Sequence, residues 1–260
     1  MNAFKFINLT VATTVFSTLI ISQANLTQAS TEEKGIRQTQ ITGILRDFTS
    51  DHPDFERSPG DVSSDGSVFA FGLDDQITTD FLDENGKPIY AGGSSSTTNR
   101  ANFDQWFNDV EGVNQRMEYT ITLTDPDEDG VYTFARDIQQ GESFFPLDGM
   151  LYGNENNSHN YHFTYEIETE FTYVAGTVNN PRIFTFKGDD DVYVYIDGEK
   201  VIDIGGVHLQ REQSVNLDKL GLIDGETYSL KLFFAERHVV HSNFRIDTNI
   251  KFPEQIVYAD

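Results

Sequence analysis

Residues 161–174 alternate apolar and polar side chains almost without interruption, with Tyr161, Phe163, Tyr165 and Ile167 set against His162, Thr164, Glu166 and Glu168. A period of two sends the two sets to opposite faces of an extended chain, so this run reads as a strand with one buried face. Further strand-prone runs are 40–47, 119–123, 131–134, 182–186, 192–197, 200–204, 213–217, 227–234 and 243–252. Asp197-Gly198, between two of them, is a two-residue hairpin signal. No helical period persists anywhere. The expected fold is all-β, an antiparallel sandwich or barrel with long N-terminal loops and one short helix. That helix is expected over 102–108, capped by Asn102, with Phe103, Trp106 and Phe107 on one face as an apolar plug. Residues 49–101 are rich in Gly, Ser, Asp and Pro and read as elaborated loops, loosest at 92–98.

The N-terminus sets the expected compartment. Lys5 precedes an apolar but Thr-diluted stretch, 7–21, and Ser22-Gln-Ala24 and Thr27-Gln-Ala29 carry small residues at signal-peptidase spacing. The stretch is short for a membrane span of roughly twenty residues. We therefore expect a signal peptide over 1–24, with cleavage as late as 29, a flexible lead-in over 25–39, one folded domain over 40–252, and a tail over 253–260. The product is expected to be secreted, extracellular or held at the cell surface, with no membrane insertion after the leader is removed.

Charge and composition exclude several function classes. Against 18 Lys and Arg stand 42 Asp and Glu, a formal net charge of -24, which repels nucleic acid and anionic membranes. With no cysteine, thiolate metal sites and a Cys nucleophile are ruled out. The chain has no Gly-x-Ser-x-Gly elbow, no phosphate-cradling glycine loop and no His-Glu-x-x-His helix, so an enzyme is not expected; a polysaccharide hydrolase working through a carboxylate pair is the third reading, because the pair's separation is not a sequence property.

Chemistry concentrates instead at Asp189, Asp190 and Asp191, directly before the run 192–197. Three adjacent carboxylates repel one another, and hard divalent cations such as calcium prefer clustered oxygens. A solvated turn is the other reading of such a triplet. On a regular strand Asp189 and Asp190 point to opposite faces, so they meet one ion only across a kink in the backbone. Asp125-Pro-Asp-Glu-Asp-Gly130 also carries alternate carboxylates, but the twelfth position an EF-hand requires is Arg136, and the segment reads as an acidic hairpin turn. His159 and His162, like His238 and His241, are three apart and so diverge on a strand, whereas zinc needs three or four converging ligands. The histidines are expected to hydrogen-bond loops near the binding face.

Several longer motifs carry a resemblance. Phe184-Thr-Phe-Lys-Gly-Asp-Asp-Asp-Val-Tyr-Val-Tyr-Ile-Asp-Gly198, Asp203-Ile-Gly-Gly-Val-His208, Phe233-Phe-Ala-Glu-Arg-His238 and Ser242-Asn-Phe-Arg-Ile-Asp247 resemble the fibro-slime domain family. His52-Pro-Asp-Phe-Glu56, Phe103-Asp-Gln-Trp-Phe107, Phe144-Phe-Pro-Leu-Asp148 and His159-Asn-Tyr-His-Phe-Thr-Tyr-Glu166 fit the same family. The C-terminal half is similar to protective-antigen-type β-barrel lectin modules, found in yeast flocculins and in bacterial surface proteins.

The resemblance implies calcium held by Asp189 and Asp190 across a cis peptide, with Glu236 where flocculins carry Asn and with the backbone carbonyls of His238 and Val240. It implies no such role for Asp191. His208, Arg237, His238 and Asp191 are the candidate ligand contacts, while Tyr193 and Tyr195 are expected to pack within the sheet. The implied function is a calcium-dependent carbohydrate-binding, lectin-like module for an extracellular glycan or surface polysaccharide. The alternative is a matrix or structural protein that binds other surface proteins and uses calcium only to stiffen loops. The absence of cysteine departs from the flocculins, whose loops are braced by disulfides.

Overall fold

The computed structural model describes residues 36–63, 66–252 and 255–257. The expected signal peptide and most of the lead-in lie outside the described residues. In chain order the strands are β1 (Ile36–Asp47), β2 (Thr78–Leu82), β3 (Pro88–Tyr90), β4 (Gln115–Asp125), β5 (Tyr132–Arg136), β6 (Phe163–Thr172) and β7 (Ile183–Asp189). They continue with β8 (Asp191–Ile196), β9 (Glu199–Ile204), β10 (Arg211–Asn216), β11 (Thr227–Glu236), β12 (Asn243–Thr248) and β13 (Gln255–Val257). One helical turn, α1 (Arg100–Phe103), precedes β4.

Among the described residues the strands form a single 13-stranded sheet in the order β10-β7-β12-β5-β4-β1-β6-β11-β8-β9-β2-β3, with β13 also on β1. The expected all-β antiparallel architecture is what is found. The sheet curls until β9 and β10 meet, where the Gln213 side chain accepts a hydrogen bond from the Asp203 amide at 2.9 Å. The curl encloses a core in which Phe144, carried by a loop, packs 4.7 Å from Phe244 between centroids, with Phe163, Tyr165 and Phe234 around it. Each such ring contributes about 1.5–3 kcal/mol of burial.

Several expectations need correction. The strand β1 begins at Ile36, inside the expected lead-in. The loop-like 49–101 region holds β2 and β3, which extend the sheet past β9. Both are short, one carries Asp80 and the other opens on Pro88, residues disfavoured in strands except at edges. The cap of α1 is Asn99, whose side chain accepts from the Asn102 amide, so Asn102 sits inside the turn. Phe103, Trp106 and Phe107 do form the expected plug, packed with Tyr193, Tyr195 and Phe233 on the outer side of the sheet's main core. That plug explains why β6 is buried on both faces from Phe163 to Ile167 and alternates only afterwards. The Thr164 hydroxyl donates to the Trp106 carbonyl, and Glu166 pairs with Arg46 and Lys87. The two hairpin turns behave as read. Asp197 and Gly198 both have positive φ, 50° and 82°, as a type I′ turn requires. Asp125 accepts the Asp129 and Gly130 amides, closing the acidic turn between β4 and β5.

Candidate functional site

The end of β7 and the start of β8 meet at the acidic triplet, and the Asp189–Asp190 peptide there is cis. Asp189 accepts from the Asn243 backbone at 2.6 Å, and the Asn243 side-chain amide reaches both of its oxygens at 3.1 and 2.8 Å. Asp190 accepts the His208 amide at 3.2 Å and the Arg237 amide at 3.3 Å. Glu236, the last residue of β11, is 1% exposed; one oxygen accepts weakly from the His238 amide at 3.4 Å. Its other oxygen, Oε2, is buried without a hydrogen-bond partner. The Ser242 hydroxyl lies close enough to favour ionised Glu236, yet it too completes no hydrogen bond.

Burial pushes all three acids upward. For Asp189, burial outweighs the opposing bonds from Asn243. For Asp190, burial dominates, the Arg237 charge opposes it, and Asp191 and Asp189 add to it. Glu236 is raised well above the ordinary range by burial and then by the fields of Asp190 and Asp189. The three carboxylates therefore share one desolvated region in which each penalises its neighbour's charge. Among the described residues no group of three or more acids and histidines is arranged to hold a metal ion by side chains alone. The fit to a hard cation lies in the donor set: oxygen ligands, negative charge without enough positive charge beside it, and the unpartnered Glu236 oxygen.

Asp189 and Asp190 open onto a cleft of about 190 Å³, whose wall includes His208, His238, His241, Val240, Leu209, Val207 and Phe71. Asp189, Asp190, His208, His238 and Val240 are thus brought together; Glu236 does not line the cleft but lies within the fields of Asp190 and Asp189. The carbonyl of His238 accepts from the Val240 amide at 2.9 Å. A wider groove of about 780 Å³ over β4, β5 and β12 contains none of the residues predicted for the site.

Two predicted ligand contacts are corrected. Asp191 and Arg237 are both 0% exposed and do not line the cleft. Arg237 Nε donates to Asp191 Oδ2 at 2.5 Å, and Nη1 donates to the carbonyls of Asp54 and Ser96 at 3.1 and 2.7 Å. The guanidinium lies 4.6 Å from the Trp106 ring centroid. Burial disfavours the Arg237 charge, but Asp191 more than offsets it and holds the group protonated. Asp191 also accepts the Gly206 amide at 2.6 Å and the Tyr193 hydroxyl at 3.1 Å. The third aspartate therefore points into the plug and anchors Arg237. Tyr193 and Tyr195 are fully buried in the sheet, as expected.

Sequence reasoning assigned no role to Glu56, yet it organises one side of the site. One oxygen accepts the Val239 amide at 2.7 Å and faces His162 Nε2 at 3.0 Å, and the other lies 3.8 Å from His238 Nε2. His162 meets Glu155 through its second nitrogen, and His159 stacks on Phe145 and bonds Asp148. His162 and His238 thus share the Glu56 carboxylate, His159 bonds the Asp148 loop, and among the described residues no group of three or more acids and histidines that could hold a metal ion is found. Glu56 belongs to the quoted run His52–Glu56, but nothing local to that run points to Val239.

Residues 153–256 match the PA14 domain. The PA14-matching segment contains Asp189, Asp190 and Glu236, whereas Glu56, Phe71 and Trp106 precede it. The chain is 36% identical over 210 residues to Protein psiC of Dictyostelium discoideum, covering 76% of this chain and 38% of that protein. It is 37% identical over 230 residues to Protein psiR of the same organism (82% and 21%), and 36% identical over 236 residues to Protein psiD (85% and 44%). The chain spans less than half the length of these relatives. Among solved structures, the PA14 domain of the MpAFP antifreeze protein aligns over 86% of this chain and 87% of that one, at 11% identity and a TM-score of 0.27.

Proposed function

We propose that this chain is a secreted, non-catalytic carbohydrate-binding module of the fibro-slime type. Asp189, Asp190 and Glu236, with the carbonyls of His238 and Val240, would hold calcium at the cleft floor. When bound, calcium supplies open coordination positions to vicinal hydroxyls of an extracellular glycan or surface polysaccharide. One observation carries this reading: three buried carboxylates, one with an unpartnered oxygen, are gathered beneath an open cleft. The PA14 match over the same residues supports it. Asn243 and the amides of His208 and Arg237 orient the acids, and Glu56 pins the Val239 turn so that the neighbouring carbonyls keep their place. His208 and His238 stand in the wall, within reach of a bound sugar.

Calorimetric calcium titration of the protein and of its Asp189→Asn/Asp190→Asn variant, followed by a glycan screen with and without chelator, tests the proposal. The expected outcome is calcium binding lost in the variant and glycan retention lost with chelator. Unchanged calcium affinity in the variant would refute the site. A calcium-raised melting temperature with no glycan retained would favour the matrix-protein alternative instead.

A further inference from the structure

We infer that the cleft above Asp189 and Asp190 selects a sugar carrying a methyl group, with its hydroxyls toward the acidic floor and its methyl against Phe71, Leu209 and Val240. The inference rests on the carbohydrate reading above and goes beyond it by naming the ligand's chemistry. The three apolar side chains are 50%, 73% and 56% exposed, yet all of them border the cleft that reaches the acids. Such residues scattered singly would need no explanation; converged on one small cleft they describe half of a ligand.

The wall is braced. The Gly72 amide donates to the Val207 carbonyl and the Asp74 amide to the Gly205 carbonyl, both at 2.8 Å, tying the loop of Phe71 to the loop of Leu209. Gly206 has φ +98°, and a Cβ there would stand 2.3 Å from the Gly72 carbonyl oxygen, so the two loops approach as closely as their backbones allow. Phe71 is further held edge-on to the His238 ring, 5.2 Å between centroids. A wall fixed in advance loses little freedom when a ligand arrives.

Apart from His241, that wall offers few free polar groups. The two ring nitrogens of His208 face the carbonyls of Leu209 and Ile204, at 2.9 and 3.3 Å, and Nε2 of His238 faces Glu56. A sugar hydroxyl pressed against Leu209 or Val240 gives up its water without a replacement bond, which is unfavourable, whereas a methyl group there gains from burial. At about 190 Å³ the cleft falls below the roughly 300–1,000 Å³ of pockets for drug-sized ligands, and suits one sugar ring. The methyl can come from a 6-deoxy carbon or from an acetyl cap.

Titration calorimetry in excess calcium separates the two sources. L-Fucose is compared with L-galactose, which adds only the hydroxyl at carbon 6, and N-acetyl-D-galactosamine is compared with D-galactose. Burying one methyl predicts about fourfold tighter binding by the methyl-bearing member of one pair. In Leu209→Ser and Phe71→Ser, both at exposed positions, that ratio should fall to about one while calcium affinity stays unchanged. Calcium-dependent binding in which neither pair favours the methyl-bearing sugar overturns this inference and leaves the carbohydrate reading standing. No calcium-dependent binding of any of the four sugars overturns this inference too, and the carbohydrate reading is then decided by the glycan screen with and without chelator.

Discussion

Arg237→Met is the sharpest probe of how the site is supported. The arginine is fully buried and donates to Asp191 and to the carbonyls of Asp54 and Ser96, with its guanidinium over Trp106. Methionine keeps most of the stem and can rest its sulfur on the indole, recovering about 0.3–1.5 kcal/mol. It leaves two carbonyl oxygens without donors and the Asp191 charge without its cation. Removing one partner of a buried pair costs about 3–5 kcal/mol, against about 0–1 kcal/mol for an exposed pair. Domains are stable by only about 5–15 kcal/mol, so the variant should lose a large share of its margin. Urea unfolding of Arg237→Met, Asp191→Asn and the double variant would measure this. The double variant should cost less than the sum of the singles by about 1–3 kcal/mol, because each single change strands the other group. A loss below about 1 kcal/mol for Arg237→Met, or strict additivity, would refute the reasoning.

Two further outcomes follow from buried carboxylates elsewhere. Asp47 is pushed up to about 6, chiefly by burial, with the Asn160 side chain and the Tyr152 amide opposing the rise. Its folded state keeps the proton longer than the unfolded state, so its contribution is full below the ordinary value of 3.8 and is lost as pH rises through about 6. Scanning calorimetry should therefore show a steeper fall in melting temperature across that window for the native protein than for Asp47→Asn; parallel slopes would contradict it. Asp74 accepts the Ser95 and Ser96 amides and the Ser94 hydroxyl through a single oxygen. Asp74→Ala should cost about 1–3 kcal/mol and expose 92–98 to limited proteolysis, and an unchanged cleavage pattern would count against it.

The strands were legible because their side chains report the environment of each face, and β4, β8, β11 and β12 lie where alternation and β-branched residues place them. The element β6 was read correctly as a strand but wrongly as half-exposed, because its second cover comes from Trp106, which is distant in sequence. The acidic floor could be anticipated because Asp189 and Asp190 are neighbours in the chain. What holds it could not be: Arg237 reaches Asp54, and Glu56 reaches Val239, across 183 positions each. A local pattern carries no trace of such pairings. The same limit explains why Arg237 looked like a ligand contact, since its short distance from Glu236 along the chain says nothing about which way its side chain turns.

The strand β1 lies between β4 and β6, in mid-sheet, although it is contributed by the first described residues. A fragment begun at residue 153 to isolate the PA14-matching portion would delete that central strand, together with the indole beneath Arg237 and both carbonyls that accept its hydrogen bonds. The acids would then sit on a sheet with a missing stave. For this protein the front of the chain is part of the site's scaffold, and the two halves must be expressed as one piece.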